Sequence, residues 1–384
     1  MEERLKHEWE QVAGSRRVVV KIGSNLLTAG GTTLDREWIA ARCREVEGLI
    51  QEGRQVVIVT SGAVAAGKPR LNLGRPLLAL REKQAAAAAG QGFLMRCYEE
   101  AFAELGRHVG QILLTRDDVA HRRRYLNARD TLETLLDLGL VPIVNENDTV
   151  VVVEIRFGDN DTLAALVAGL IRADLLILLS DVDGLYDANP RTHPDAQRIA
   201  LVERVTPELE ALAEGAGSLV GSGGMVTKLR AARKAARSGC RTVLANGFRA
   251  DPIRTLFQGN PLGTLFLAEA DAISSRKRWI ADGLLAEGDL ILDQGAVAAL
   301  FSGKSLLAKG IREVAGEFDR GAALYCSTPQ GERVAKGLVN YNADDLRRII
   351  GHHSTEIASI LGFFAGNEII HRDDMVILSL QTTF

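Results

Sequence analysis

Cysteine is scarce in this chain of 384 residues, and the four present, Cys43, Cys97, Cys240 and Cys326, are scattered without a CxxC pair. That spacing speaks against a zinc ribbon or a disulfide framework and points to reduced, mostly buried thiols. Long apolar runs are lacking as well: none reaches the roughly 18 residues of a membrane span. The opening Met1-Glu2-Glu3-Arg4-Leu5-Lys6-His7 is charged where a secretory leader would be apolar. A cytoplasmic protein without a membrane partner is expected. Surplus charge is missing too, because a net charge of −3 and a pI near 6.2 give no global pull toward nucleic acid or an anionic membrane.

Several familiar catalytic signatures are absent. Gly303-Lys304-Ser305 lacks the first Walker glycine, since position 298 is Ala, and reads as a surface loop. No GxGxxG dinucleotide fingerprint opens a helix. Ser61 lies in no GxSxG elbow, and the seven histidines fall outside the conspicuous loops, so no Ser-His-Asp arrangement is indicated. His352-His353 reads as a surface pair on a helix of the last domain. The acids Asp181, Asp183 and Asp187 are spaced as in a calcium loop, but Gly184 comes too early and no Glu closes it. No protein metal site is expected.

What is present is an alternation of buried-strand runs and helical patterns. Residues 17–22, 56–59, 108–114, 140–144 and 175–179 are short apolar runs of the kind that fill parallel strands. Between them lie helical patterns: one capped by Asp35 and ended by Gly53, an Ala-rich stretch from about 77 to 105 interrupted at Gly90-Gln91-Gly92, one from about 117 to 138, and one from about 161 to 172. The charge run His121-Arg122-Arg123-Arg124 reads as a solvated helix face. Together these predict a three-layer α/β/α domain with a mainly parallel sheet over residues 1–268. After a loose stretch at 269–284, residues 285–384 carry short apolar runs separated by glycines, the pattern of a second, smaller β-rich domain.

The polar residues concentrate where those strands end. Asn145-Glu146-Asn147-Asp148 follows one strand, and Gly158-Asp159-Asn160-Asp161 opens the next helix, so the two clusters flank an apolar insert and return to one place. Asp159 or Asn160 would also serve as a helix cap. Seven Asn, Asp and Glu side chains exceed what capping requires, and a small ligand bearing its own charges fits such a pocket. Ligands of open α/β sheets sit beyond the carboxyl ends of the strands. Lys21 ends the first strand just before Gly23, and Ser61-Gly62 ends the second. Farther on, Gly221-Ser222-Gly223-Gly224 opens the helix Met225 to Arg237 with Lys228 in its first turn, a backbone arrangement suited to cradling phosphate. Two lysines, glycine amides and Asp and Asn side chains suit phosphoryl transfer to an acceptor that needs no general base. A carboxylate, already ionised at neutral pH, is such an acceptor.

The motifs Lys21-Ile22-Gly23-Ser24, Thr60-Ser61-Gly62-Ala63, Asn145 to Asp148, Gly158 to Asp161 and Gly221 to Lys228 resemble, in order and over nearly the whole chain, the glutamate 5-kinase branch of the amino acid kinase family. In the tail, Leu346-Arg347-Arg348-Ile349-Ile350-Gly351-His352-His353-Ser354 and His371-Arg372-Asp373-Asp374-Met375 resemble the PUA domain that many members carry. The resemblance implies that Lys21 and Lys228 contact the transferred phosphoryl group and that Asp161 orients both. It implies that Ser61, Asp148 and Asn160 hold L-glutamate, Asp148 pairing with the ammonium while Ser61 and Asn160 donate to carboxylates. ATP, with Mg2+ held mainly by its phosphates, would be bound by Lys21, Ser180, Asp181, Ser222, Gly223, Gly224, Met225, Val226, Thr227 and Lys228. A homo-oligomer, a place at the first step of proline biosynthesis and feedback inhibition by proline are further implications. Asn25 and Val226 stand where small hydroxyl residues are expected, and Val150 to Val153 is more apolar than expected.

Two rival readings accompany this one. A related kinase could act on N-acetylglutamate or aspartate, although an acetylated amine gives Asp148 no charge to pair with. An RNA-binding or RNA-modifying protein is the second rival, because PUA domains are common RNA modules. Between Leu285 and Ala365, however, 8 Lys and Arg stand against 10 Asp and Glu, which is not the basic footprint of an RNA module. A structural or regulatory role is expected for this domain.

Overall fold

The structure, a computed structural model, describes residues 2–28, 33–73, 78–150, 160–190, 192–215, 224–269, 280 and 284–378. The chain divides into two compact units, Met1–Ala272 and Ile273–Phe384. The stretch expected as a linker, 269–284, lies mostly outside the described residues.

The first unit is built on an eight-stranded sheet: β1 Arg17–Ile22, β2 Gln55–Val59, β3 Val109–Leu114, β4 Val141–Glu146, β5 Leu175–Ser180, β6 Leu201–Val202, β7 Arg241–Asn246 and β8 Thr264–Phe266. Their spatial order is β3-β4-β2-β1-β5-β7-β8-β6. Every neighbouring pair is parallel except β7 with β8. The runs read as strands are therefore all parallel, with β3 at one edge of the sheet, and the antiparallel departure sits near the other.

Alternation along each strand divides its side chains between two cores. Val18, Val20, Ile58 and Ile177 pack on one face with Ile39, Cys43 and Val46 of the helix Arg36–Gln51 and with Leu94, Tyr98 and Phe102 of the helix Leu80–Ala103. Val19, Val57, Val59 and Leu178 pack on the other with Leu163 and Val167 of the helix Asn160–Leu170 and with Leu229 and Ala232 of the helix Met225–Arg237. Both faces of the sheet are covered, as parallel strands demand. The carboxyl ends of β1, β2, β4, β5 and β7 lie along one edge, and strand order reverses between β1 and β5, the kind of switch point where such sheets open a crevice.

The helix Leu80–Ala103 runs unbroken through Gly90-Gln91-Gly92, contrary to the interruption expected there. Gly90 is required by packing: a Cβ on it would run into the carbonyl oxygen of Ala63, and one on Gly67 into that of Ala86. The short helix Ala63–Gly67 is thereby seated directly on the long one. The helix expected over 117–138 is instead two, Arg116–Ala120 and Arg122–Asp137, because His121 takes an extended conformation and caps the second. No described helix is long and apolar enough to cross a membrane.

The second unit holds β9 Ala286–Leu292, β10 Leu306–Leu307, β11 Ile311–Ala315, β12 Ala323–Ser327, β13 Arg333–Leu338, β14 Glu368–Ile370 and β15 Met375–Ile377. They form a five-stranded sheet, β11-β9-β12-β13-β15, and a two-stranded ribbon, β10-β14. Leu290, Leu324, Val334, Tyr341 and Leu346 are among the residues of its own core. His352 and His353 are exposed as expected, but they sit in the turn after the helix Ala343–Ile349 and not on a helix.

Candidate active site

The carboxylate of Asp161 is the centre of the carboxyl-edge crevice. Asp161 lies in the first turn of the helix Asn160–Leu170, where the unpaired N–H groups favour an anion. It is fully buried, at 0% exposure. Its Oδ1 is ion-paired with Lys21 Nζ at the end of β1, and its Oδ2 lies 3.2 Å from Lys228 Nζ in the first turn of the helix Met225–Arg237. Thr227 Oγ1 stands 3.0 Å from the same Oδ2 and 2.7 Å from the Gly224 carbonyl oxygen, so its single proton is shared between two acceptors.

Two ammonium groups thus meet one carboxylate, and the charge of Lys228 also bears on Asp181. A cation at a helix N-terminus opposes the dipole, so nearby carboxylates help hold Lys228 there.

On the side toward β2 and β4 an amide network lines the crevice. Asn160 directs Nδ2 at Thr60 O (2.7 Å), Ser61 Oγ (3.0 Å) and Asn145 Oδ1 (2.9 Å). Asn145 Oδ1 also accepts from Glu146 N at 2.9 Å, and Asn145 Nδ2 donates to Gln91 Oε1 at 2.9 Å. Thr60 Oγ1 is 2.9 Å from the hydroxyl of Tyr98, which is fully buried and whose ionisation burial pushes well above the ordinary phenol range. Gly62 follows at φ +96°, a left-handed conformation that turns the chain sharply from β2 into the helix Ala63–Gly67. Gln91 and Tyr98 are seven residues apart on one helix face, so a single helix grips the ends of both β4 and β2.

On the side toward β5 and β7, Asn25 Nδ2 donates to Asp181 Oδ2 at 3.0 Å, and Ser180 Oγ donates to Asp181 Oδ1 at 3.1 Å. Burial pushes the Asp181 carboxyl up, but the hydrogen bonds from Asn25, its own backbone and Ser180, with the charge of Lys228, together hold it below the usual range. Gly247, just past β7, accepts from Trp38 Nε1 at 3.2 Å and Arg42 at 3.0 Å, and Arg249 holds Asp183 at 2.8 Å. This wall is polar and tied by hydrogen bonds between separate segments.

The sequence-predicted residues divide as follows. Lys21, Lys228 and Thr227 each contact Asp161. Ser61 and Asn160 are in contact with each other. Ser180 and Asp181 close the far side, and Gly224, Met225 and Val226 lead into Lys228. Asp148 lies half-buried in the turn after β4. Ser222 and Gly223, and residues 151–159 of the insert, lie outside the described residues. Asn160 was expected to donate to a substrate carboxylate; its two amide hydrogens face three protein acceptors, and the atom it leaves buried without a partner is Oδ1. Gln91, Thr60, Tyr98 and Asn25 were not foreseen, because their bonds join residues far apart in sequence. Asn25, noted only as a departure from a small hydroxyl, carries the bond to Asp181.

Among the described residues no group of three or more His, Cys, Asp or Glu side chains is placed to hold a metal ion. The one central carboxylate is already occupied by lysines. This donor set fits a divalent cation that arrives coordinated by a triphosphate, and no side chain here is assigned to it.

The amino acid kinase family model matches residues 16–246, and the PUA domain model matches residues 288–361. The chain is 52% identical over 365 residues to a glutamate 5-kinase of Geobacter sulfurreducens, covering 94% of this chain and 98% of that one. It is 50% identical over 368 residues to a glutamate 5-kinase of Aromatoleum aromaticum, covering 96% and 99%. It is 51% identical over 369 residues to one of Pseudomonas syringae pv. tomato, with the same coverage of 96% and 99%.

Proposed function

Because the chain belongs to the amino acid kinase family, we propose that it transfers the γ-phosphoryl group of ATP to the side-chain carboxylate of L-glutamate, giving L-glutamyl 5-phosphate and ADP. The observation that carries this reading is the buried carboxylate of Asp161 between the ammonium groups of Lys21 and Lys228. A site of that kind holds charge in place and moves no proton. Transfer to a carboxylate asks for that chemistry: the acceptor is already an anion at neutral pH, so positioning and neutralisation of shifting charge do the work.

In this reading a side-chain carboxylate oxygen of glutamate attacks the γ-phosphorus as the bond to the β-γ bridging oxygen breaks. Lys21 and Lys228 meet the phosphoryl oxygens, and Asp161 fixes the two ammonium groups against each other. Ser61, Asp148 and Asn160 hold glutamate. Ser180, Asp181 and the segment from Ser222 to Lys228 hold ATP. Mg2+, carried by the phosphates, would supply further charge neutralisation. The product places the enzyme at the first step of proline biosynthesis, in the cytoplasm, with proline competing for an overlapping site near residues 145–161.

The test is ATP-dependent formation of hydroxamate when hydroxylamine traps the acyl phosphate, run on glutamate, aspartate and N-acetylglutamate. Glutamate is expected to give product and the other two little. Hydroxamate from N-acetylglutamate alone would overturn the assignment.

A further inference from the structure

We propose that Gln91, on the helix Leu80–Ala103, is a positioning residue that sets amine recognition: it locks the Asn145–Asn160 amide pair so that Asn160 presents a bare oxygen to the ammonium of the amino-acid substrate. This rests on the reading of the crevice as a glutamate site.

Two main-chain groups define the polarity of the network. The Glu146 N–H can only donate, so the Asn145 atom 2.9 Å from it is Oδ1. Asn145 Nδ2 is then the atom facing Gln91, 2.9 Å from Oε1. The Thr60 carbonyl can only accept, so the Asn160 atom 2.7 Å from it is Nδ2, and the same nitrogen reaches Asn145 Oδ1 at 2.9 Å. Turning the Asn160 amide over would set oxygen against two oxygens. Asn160 Oδ1 is left buried without a partner. A buried unpaired acceptor costs about 1–3 kcal/mol unless a donor arrives, and an ammonium is a donor that glutamate carries and its deaminated analogue lacks.

Gln91 enters because Asn145 is only 2% exposed, and water does not replace the Gln91 oxygen at Nδ2. Without that acceptor the Asn145 side chain loses the partner that holds its Nδ2, and the support for Asn160 loosens. Gly90, pressed against Ala63, fixes the depth at which Gln91 enters. Gln91 acts on Asn145 through Oε1, while its own Nε2 is buried without a hydrogen-bond partner; a contact from that nitrogen to a substrate carboxylate would be shared by glutamate and glutarate and would leave their ratio unchanged.

The test compares glutamate with glutarate, which has both carboxylates and no amine, in the full-length enzyme and in Gln91→Met and Gln91→Glu. Met keeps the volume and removes the acceptor; Glu keeps an acceptor oxygen toward Asn145. The expected result is that the glutamate-to-glutarate ratio of kcat/KM falls about tenfold or more in Gln91→Met, mainly through glutamate KM, as loss of one charge-assisted contact requires. In Gln91→Glu the ratio is kept or raised, because an added negative charge penalises the dianionic glutarate more. A role in packing alone would make Met the better replacement; a ratio preserved in Gln91→Met, or lost equally in both variants, overturns the proposal. If the unsubstituted enzyme phosphorylates no glutamate at all, it is the functional reading that fails, and the two failures are told apart by that control.

Discussion

Lys228 Nζ lies 3.2 Å from Asp161 Oδ2, an ion pair made between the first turns of two helices that start 65 residues apart. The pair aims a second ammonium at the place where Lys21 already points. Charge on the transferred phosphoryl group shifts during reaction, so this ammonium should matter most in the transition state. Lys228→Ala is expected to lower kcat by about 10²-fold or more with a modest change in glutamate KM. Asp148→Ala should behave oppositely, raising glutamate KM by roughly 30- to 150-fold with little change in kcat, because its proposed partner keeps the same charge throughout. Steady-state kinetics with circular dichroism as a folding control separates the two. An unchanged glutamate KM in Asp148→Ala would mean the pocket is misassigned.

Asp161→Asn removes the anion that both lysines share. Two buried ammonium groups then lose the carboxylate they share, a defect that costs about 3–5 kcal/mol when one partner of a buried pair is lost. The expected outcome is a lower melting temperature together with a large loss of kcat. The melting point should recover partly when ATP is added, since its phosphates replace the missing negative charge. A variant as stable as the parent would show that Asp161 does not balance the lysines.

Most of the sheet was legible in the sequence because parallel strands buried on both faces have to be continuous apolar runs, as Val18-Val19-Val20 and Leu175 to Leu179 are. Lys21 and Lys228 could be singled out because one stands near the end of a strand, two residues before Gly23, and the other in the first turn of a helix that follows a glycine-rich run. The strands β6 and β8 were not legible: Leu201–Val202 and Thr264–Phe266 are too short to show a period. Nor was the role of Gly90, since a glycine inside a helical run looks the same whether it breaks the helix or lets a neighbouring carbonyl approach. The bond from Asn145 to Gln91 spans 54 residues and leaves no local trace. The polarity of Asn160 depends on it and on the Thr60 carbonyl, so only the fold shows which way that amide is turned.

Gly90→Ala tests the packing that seats the substrate side. The added methyl collides with the Ala63 carbonyl, and relief requires the helix Leu80–Ala103 to move from the helix Ala63–Gly67. A cost of about 1–3 kcal/mol is expected from overpacking of this kind. Because Ser61 and Gln91 sit on the two segments forced apart, glutamate KM should rise more than ATP KM. Equal effects on both would place the strain elsewhere.

Glu47 and Arg107 form a bidentate pair, with contacts of 2.8 and 2.9 Å, that joins the helix Arg36–Gln51 to the turn after the helix Leu80–Ala103. The Arg107 hydrogen bonds outweigh burial and hold the Glu47 carboxyl below its ordinary value. A carboxyl depressed in the folded state contributes stability above its unfolded value, about 4.3, and loses it as pH falls through the folded value. Glu47→Gln is therefore expected to melt roughly 2–6 °C lower at neutral pH, for a loss of about 1–2 kcal/mol. The difference from the parent should shrink in acid below the ordinary carboxylate range. A gap that stays constant across that window would deny the pair its electrostatic role.

The claim that glutamate's own carboxylate accepts the phosphoryl group can be tested by isotope. Glutamate labelled with oxygen-18 in the side-chain carboxylate is incubated with enzyme and ATP, and the product is cleaved with hydroxylamine, which breaks the bond between carbonyl carbon and bridging oxygen. The released phosphate should carry one oxygen-18 atom, seen as an upfield-shifted phosphorus resonance and a two-dalton mass increase. Phosphate released without label, with ATP consumed at the same rate, would mean that water attacks the γ-phosphorus and would contradict the account.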